Sequence, residues 1–570
     1  VFSNHSHPPV RRMASRRQFV QTLALGGVAS FGLPLSATAA SSAAALRELR
    51  GSAFDLSIGQ TPVNFTGRTC QAITVNGSLP APVLRWREGE TVTLRVRNAL
   101  PDAATSIHWH GILLPANMDG VPGMSFNGIA PGETYVYRFQ LKQSGTYWYH
   151  SHSMFQEQSG LYGALVVEPA EAPPYHFDRE HVIVLSDWTD LEPAALYRRM
   201  KKMPMFDNLY QRTLGDWARD VQNQGLRATL AERSMWGRMR MSDSDISDIN
   251  AHTYTYLLNG QTASGWTGLF QRGEKVLLRM VNAAAMTHFD VHIPGLKLTV
   301  VAADGQYVHP VTVEALRMAP AETFDVLVEP DADAFTFFAQ DMGRTGYVSG
   351  TLAVAQGLRA PVPALHARAV LVMADMGPGH AMSGDAGGHG GHAMPASSHG
   401  ASAAPAHPLI DMSSGATEAR LNDPGIGLRN SSKRVLTYAD LRSLFADPDG
   451  REPGREITLH LTGHMEKFAW GFDGIAFAGA DPIRLQYGER MRMVLVNDTM
   501  MTHPIHLHGV WSDLEDEQSR FQLRKHTIDM PPGTRRSFRV RADAAGRWAF
   551  HCHLLYHMEA GMMREVRIDA

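Results

Sequence analysis

Two cysteines in a chain of 570 residues exclude a disulfide-stapled scaffold. Cys552 is enclosed by histidines, and Cys70 is left without a partner, so Cys70 is expected to be a small buried hydrophobe. Charge of one sign is also lacking. Lys and Arg number 53 against 56 Asp and Glu, a formal net charge of −3, which gives no basic field for nucleic acid and no polybasic membrane anchor. No apolar run is long enough to span a bilayer. The run at residues 23–35 follows Ser15-Arg16-Arg17-Gln18-Phe19-Val20 and precedes Ala37-Thr38-Ala39. That order reads as a twin-arginine export signal with an A-x-A cleavage site, within residues 1–40. The expectation is a soluble periplasmic protein, exported folded and without stable membrane insertion.

Histidine and methionine, by contrast, are plentiful, at 27 and 28 residues. They concentrate near the C-terminus in His551-Cys552-His553-Leu554-Leu555-Tyr556-His557-Met558-Glu559-Ala560-Gly561-Met562. Cys with His and a weak axial Met is the ligand set of a blue-copper electron-transfer site. Neighbouring side chains on a strand point to opposite faces. Cys552 therefore faces one way while His551 and His553 face the other, so one strand can serve copper on both sides. Three further H-x-H pairs occur, in His108-Trp109-His110-Gly111, His150-Ser151-His152 and His503-Pro504-Ile505-His506-Leu507-His508-Gly509. Each pair sets two imidazoles on one strand face.

The chain repeats itself. Asn76-Gly77, Gly89-Glu90 and Val96-Arg97-Asn98 precede the first histidine pair; Asn259-Gly260, Gly273-Glu274 and Val281-Asn282 precede His288 and His292; Asp473-Gly474, Gly488-Glu489 and Val496-Asn497 precede His503. A period above a hundred residues means duplicated domains. Alternation such as Thr91-Val92-Thr93-Leu94-Arg95-Val96-Arg97 between Gly and Pro turns predicts short strands in β-sandwiches. In the middle unit Gln340-Asp341-Met342 stands where the outer units carry ligand pairs, so that unit is expected to hold no metal and to brace its neighbours. Two stretches depart from the strand pattern. Residues 216–224 and 230–241 read as helical, in a region containing Met200, Met203, Met205, Met235, Met239 and Met241. Residues 373–408 hold Met373, Met376, His380, Met382, His389, His392, Met394, His399 and His407 among Gly, Ala, Ser and Pro. That composition predicts a coreless linker whose thioethers and imidazoles suit Cu(I).

With its four motifs the chain resembles the multicopper oxidases over residues 52–570, and most of all the bacterial copper-resistance oxidases of the CopA type. Asn117-Met118-Asp119-Gly120-Val121-Pro122-Gly123, Gln143-Ser144-Gly145-Thr146-Tyr147-Trp148-Tyr149-His150 and Met500-Met501-Thr502-His503-Pro504 strengthen the likeness. The resemblance implies an all-β chain of three cupredoxin-like Greek-key sandwiches, at residues 52–170, 171–360 and 426–570, with the Met/His-rich linker at 361–425. By position in the family pattern, His503, Cys552, His557 and axial Met562 would bind one type 1 copper. His108 and His506 would bind one type 2 copper. His110, His150, His152, His508, His551 and His553 would bind two type 3 coppers.

Dioxygen would be the acceptor. Asp119 and Glu559 resemble acids that the family uses for protons. The substrate is expected to be Cu(I), in service of copper resistance, because of the Met/His arm, which can hold extra Cu(I), and the pairs Met500-Met501 and Met562-Met563; Asp513, Glu515, Asp516 and Glu517 lie where they would help receive a cation. A laccase-like phenol oxidase and a copper-sequestering protein with incidental oxidase activity are the other readings. An intact trinuclear ligand set argues against storage alone.

Overall fold

The computed structural model describes residues 46–238, 240–372, 375 and 410–569; the expected export signal, Met239, Met373 and the segment 376–409 lie outside the described residues. The third domain shows the plan. One sheet runs in the order Ala469–Phe472, Arg455–His464, Arg490–Asn497, Arg535–Arg541, Ser512–Glu515, Phe521–Lys525. The facing sheet runs Ile483–Gln486, Met563–Asp569, Gly546–Cys552, His503–Leu507, Thr527–Met530. The middle domain repeats both orders strand for strand, between Arg179–Trp188 and Tyr347–Ala353. The first domain is a reduced version, with a sheet of four strands against one of five, from Glu48–Arg50 to Tyr162–Glu168. All three are Greek-key β-sandwiches.

Alternation drives each sheet. In Thr91–Asn98 the side chains of Val92, Leu94 and Val96 are fully buried while Thr91, Arg95 and Arg97 face water. The repeated asparagine closes each sandwich. Asn98 donates its side-chain amide to the carbonyls of Ala103 and Ile129. Asn282 does the same to Thr287 and Met318, and Asn497 to Met501 and Met530. Met530 lies opposite His503 in the ladder, so Asn497 fixes the loop into the ligand strand and the strand beside it. The shared plan of the repeat thus has a mechanical basis in each copy.

Buried ion pairs tie the domains together. Lys525 of the third domain contacts Asp304 at 3.0 Å and Glu322 at 3.1 Å in the middle domain. Thr146 of the first domain donates to Asp325 of the middle one at 2.6 Å. Arg547 of the third reaches the carbonyl of Met124 in the first at 2.9 Å.

The helical departure is present and extends further than expected. Helices span Pro193–Lys202, Leu214–Gln224 and Leu226–Arg238. Thr213 and Asp216 form a capping box at the start of the second, and Gly225, with a positive φ, separates it from the third. Met200 and Met241 are buried as packing, whereas Met203 is exposed. The flanks of the expected coreless stretch 373–408 are packed. Ala369, Leu371, Ala416 and Leu421 are buried, and Val435 and Ser443 bridge to Ala315 and Val308 of the middle domain. These flanks carry enough apolar side chains to pack against the sandwiches.

Replacing Asn497 by Ala removes the hydrogen bonds its amide donates to Met501 and Met530 and those it accepts from Thr499, so the third domain should lose about 2–4 kcal/mol. Denaturant unfolding of N497A followed by Trp fluorescence checks this; an unchanged midpoint would show that the corner amide is dispensable.

Candidate metal centres

The strand Gly546–Cys552 lies beside His503–Leu507, with Ile505 opposite Cys552 and His506 opposite His551. In the first domain His108 lies opposite His150. The corresponding strands of the middle domain set His292 opposite Phe338 and Asp290 opposite Gln340, so no two imidazoles face each other there. His288 instead faces Asp529 of the third domain, Nε2 to Oδ1 at 3.2 Å, and braces the two domains.

On one face of the last strands, Cys552 Sγ lies 3.6 Å from His503 Nδ1 and 4.0 Å from His557 Nδ1, which are 3.1 Å from each other. Both rings have their other nitrogen engaged. His503 Nε2 meets Thr499 Oγ1 at 2.7 Å, and His557 Nε2 meets Asp248 Oδ2 at 2.8 Å. Those partners turn both Nδ1 atoms toward the thiol, as second-sphere groups do around a metal. Trp470 stacks on His557 at 4.0 Å. Met562 is fully buried, and its carbonyl accepts from Cys552 N at 3.1 Å, which closes the loop from His557 back to the thiol. Met558 is half-buried and packs at the edge of the core. Burial pushes the Cys552 thiol well up, so a thiolate at this depth requires a cation beside it.

The opposite face opens on the seam between the first and third domains. His551 Nε2 lies 3.0 Å from His508 Nε2 and 3.3 Å from His152 Nε2. His108, His110 and His150 form one group of close nitrogens, and His108, His506 and His508 another. His553 packs 5.0 Å from His110 and 5.1 Å from His150, between ring centroids. The Nδ1 atoms are largely spoken for: His108 by the carbonyl of Asp119 at 2.8 Å, His508 by Asp119 Oδ2 at 2.9 Å, His551 by the carbonyl of Cys552 at 2.9 Å. The Nε2 atoms of His108, His110, His150, His506 and His553 are buried without a hydrogen-bond partner. Burial, and the other imidazoles nearby, hold His110, His152, His506, His508 and His553 far below the usual imidazolium range, so they are neutral donors. Orphaned neutral nitrogens converging on one space fit copper.

Asp119 touches two of the chamber histidines. Gly120, at φ +81, passes so close to Ile107 that a Cβ would lie 1.8 Å from its carbonyl oxygen, and this tight turn delivers Asp119 to His108 and His508. Glu559 does not reach the chamber. It is exposed at the end of the helix Leu555–Glu559, with Lys201 as its charged neighbour. A second acid that touches the chamber is Glu157, buried, with Oε2 2.6 Å from His150 Nδ1. Asp248 and a further buried imidazole, His526, have no sequence signal, because their contacts join residues remote in the chain; Glu157 lies only seven residues after His150, in the loop that follows it. Other expected cation aids are occupied. Met500 and Met501 are buried, Asp513 is paired with Arg524, and Glu515 with Arg492 and Arg539. Cys70 is half-buried, its thiol 4.0 Å from the carbonyl of Asp190.

A buried Cys–His–His group on one strand face and a histidine-lined chamber on the other, at a seam between Greek-key sandwiches, are two donor sets that fit a copper-binding redox protein. Comparison with known proteins agrees. Multicopper oxidase models match residues 57–172, 179–357 and 450–570, and the chain belongs to the multicopper oxidase family. It is 58% identical to Copper resistance protein A of Pseudomonas syringae pv. tomato and 55% identical to that of Escherichia coli, in each case over 97% of this chain and 99% of the relative. Among solved structures, Fet3p, titled a multicopper oxidase that functions in iron import, superposes with TM-score 0.64 at 18% identity over 91% of both chains. The laccase of Botrytis aclada gives 0.61, at 19% identity over 92% of this chain and 89% of that one. The chain is therefore an oxidase enzyme with copper cofactors.

Cys552→Ser should abolish the intense thiolate-to-copper absorption and the turnover of the copper-loaded protein while leaving histidine-bound copper in place, since the chamber ligands lie on the other strand face. Visible spectra and copper analysis check this; a variant that stays blue would exclude Cys552 as the thiolate ligand.

Proposed function

We propose that this protein is a periplasmic cuprous oxidase serving copper resistance, which oxidises Cu(I) one electron at a time and reduces dioxygen to water. The single observation that carries this reading is the complete donor set: Cys552 with His503 and His557 on one strand face, ten buried or half-buried histidines in all, and no motif position vacant. The Copper resistance protein A relatives, matched along nearly their whole length, support the physiological role. Periplasmic location rests on the twin-arginine pattern at residues 15–20.

In this reading His503, Cys552, His557 and Met562 would hold the type 1 copper. His108 and His506 would hold the type 2 copper, and His110, His150, His152, His508, His551 and His553 the type 3 pair. Bound copper supplies the one-electron redox chemistry that thiolate and imidazole lack. The reaction balances as four Cu(I), one dioxygen and four protons giving four Cu(II) and two waters. The chain supplies the route between centres: Cys552 is covalently continuous with His551 and His553, and His551 Nδ1 is hydrogen-bonded to the Cys552 carbonyl. Asp119, with Oδ1 3.3 Å from His108 Nδ1 and Oδ2 on His508, is the acid placed to pass protons at the chamber wall in this reading. Glu559, exposed with Lys201 as its charged neighbour, is given no proton role in this reading.

The choice of Cu(I) over a phenol rests on the Met and His residues of 376–399. Oxygen uptake with Cu(I) and with a phenol, each for the full chain and for a deletion of 376–399, tests it. The deletion should lower Cu(I) turnover or bound copper and leave phenol turnover equal or higher, because the thioethers raise the local concentration of Cu(I) alone. Equal Cu(I) turnover, copper content and cellular copper tolerance would make the segment a spacer and favour a laccase-like phenol oxidase. Met562→Leu should raise the type 1 reduction potential, since a weak donor to Cu(II) is removed, while Met558→Leu should leave it unchanged. A redox titration with the opposite pattern would reassign the axial ligand.

A further inference from the structure

One buried imidazole at the chamber belongs to none of the four histidine motifs. His526 follows the strand Phe521–Lys525 and is 2% exposed. Its ring centroid lies 4.7 Å from that of His110, and its nearest ring nitrogen forms a group within 4.8 Å of those of His110 and His506. The ring is held as the chamber histidines are held. Nδ1 lies 3.1 Å from Thr527 Oγ1 and 3.6 Å from Asp304 Oδ2, and the backbone N–H donates to Asp304 Oδ2 at 3.2 Å. Its carbonyl accepts from His506 Nδ1 at 2.5 Å, so the same residue orients a ligand. Nε2 is buried without a hydrogen-bond partner.

Space has been made for this ring. Gly111, immediately after His110, has φ +81, and a Cβ there would sit 2.5 Å from His526 Cδ2. Beside the ring is a cavity of about 10 Å³ that is also lined by His108, His506 and His508. That is room for about one water, which needs two or more polar partners to stay. An outer, solvent-open cleft lies beside it and shares the lining residues Leu113 and Trp511.

We propose that His526 is a further functional histidine of the chamber, whose Nε2 holds a water, or a small monovalent anion in its place, in the cavity next to His108 and His506. The proposal rests on His108 and His506 carrying the type 2 copper. An uncommitted Nε2 is both donor and acceptor according to tautomer, so it can hold either species. A water fixed there would satisfy His526 and stand at the edge of the copper held by the neighbouring pair.

Fluoride is the probe, with copper-loaded full-length protein and the variants His526→Ala and His526→Gln. Copper per chain, the blue absorption, the electron paramagnetic resonance signal of the non-blue copper and the fluoride Kd are measured. Both variants should keep their copper and blue colour. His526→Ala should shift the non-blue signal and weaken fluoride binding at least ~10-fold, the loss of one charge-assisted hydrogen bond. His526→Gln, which restores a polar atom, should recover part of that loss. Unchanged signal and fluoride affinity in the Ala variant overturn the proposal. So does loss of the non-blue copper from both variants, which would make His526 a metal ligand or a packing group. A wild-type protein without a non-blue copper signal would instead remove the type 2 assignment itself.

Discussion

Successive side chains on a β-strand must point to opposite sides, and the rest of this protein is arranged around that constraint. On Gly546–Cys552 and the residue that follows, a thiol faces the interior of one sandwich while its two histidine neighbours face the seam with another. Two chemically different sites are thereby held one peptide apart, with no bridging group needed. The third sandwich supplies the strand, the first supplies His108, His110, His150 and His152 across the seam, and the middle one presses both together through Lys525, Thr146 and their buried carboxylate partners.

Burial explains the chemistry of both faces. Removing imidazole from water disfavours its charged form, so a crowded histidine chamber stays neutral and keeps its lone pairs. The partners of each ring then decide which nitrogen is free. Thr499 and Asp248 occupy the Nε2 atoms of His503 and His557 and leave Nδ1 for the thiol site. Asp119 and a backbone carbonyl occupy Nδ1 of His108, His508 and His551 and leave Nε2. Opposite choices of ring nitrogen on the two faces follow from these outer contacts rather than from the histidines themselves. Gly111 and Gly120 contribute by having no side chain where His526 and Ile107 approach.

The middle sandwich shows how a duplicated domain loses a site and keeps a task. Its sheets retain the strand order of the third domain and its corner asparagine, yet His292 faces Phe338 across the ligand strands. What remains polar there is directed outward to its neighbours. His288 pairs with Asp529, and Asp248, in the loop beyond the helices, reaches His557. Asp248 of the middle unit's helical excursion thus orients His557 of the third domain.

Much of this was legible in the residues alone, because strand alternation and local spacing are properties of the chain. The histidine motifs, the side on which Cys552 faces, the threefold repeat and the β-sandwich class all come from patterns within a few residues or from one unit compared with the next. The helices were legible in outline, although the helix Pro193–Lys202 lies outside the expected stretches and the last one runs Leu226–Arg238. Other features depended on approach between remote segments, which no local pattern encodes. Tertiary structure decided that Glu157 rather than Glu559 touches the chamber, and that Asp513 and Glu515 are neutralised by arginines. It also decided that Met500 and Met501 are core, that the linker flanks are packed, and that His526 joins the histidines of the seam. Apart from Glu157, which sits in the loop directly after His150, the partner lies on another strand or in another domain, so its identity is set by how the sandwiches pack and not by the sequence around the residue itself.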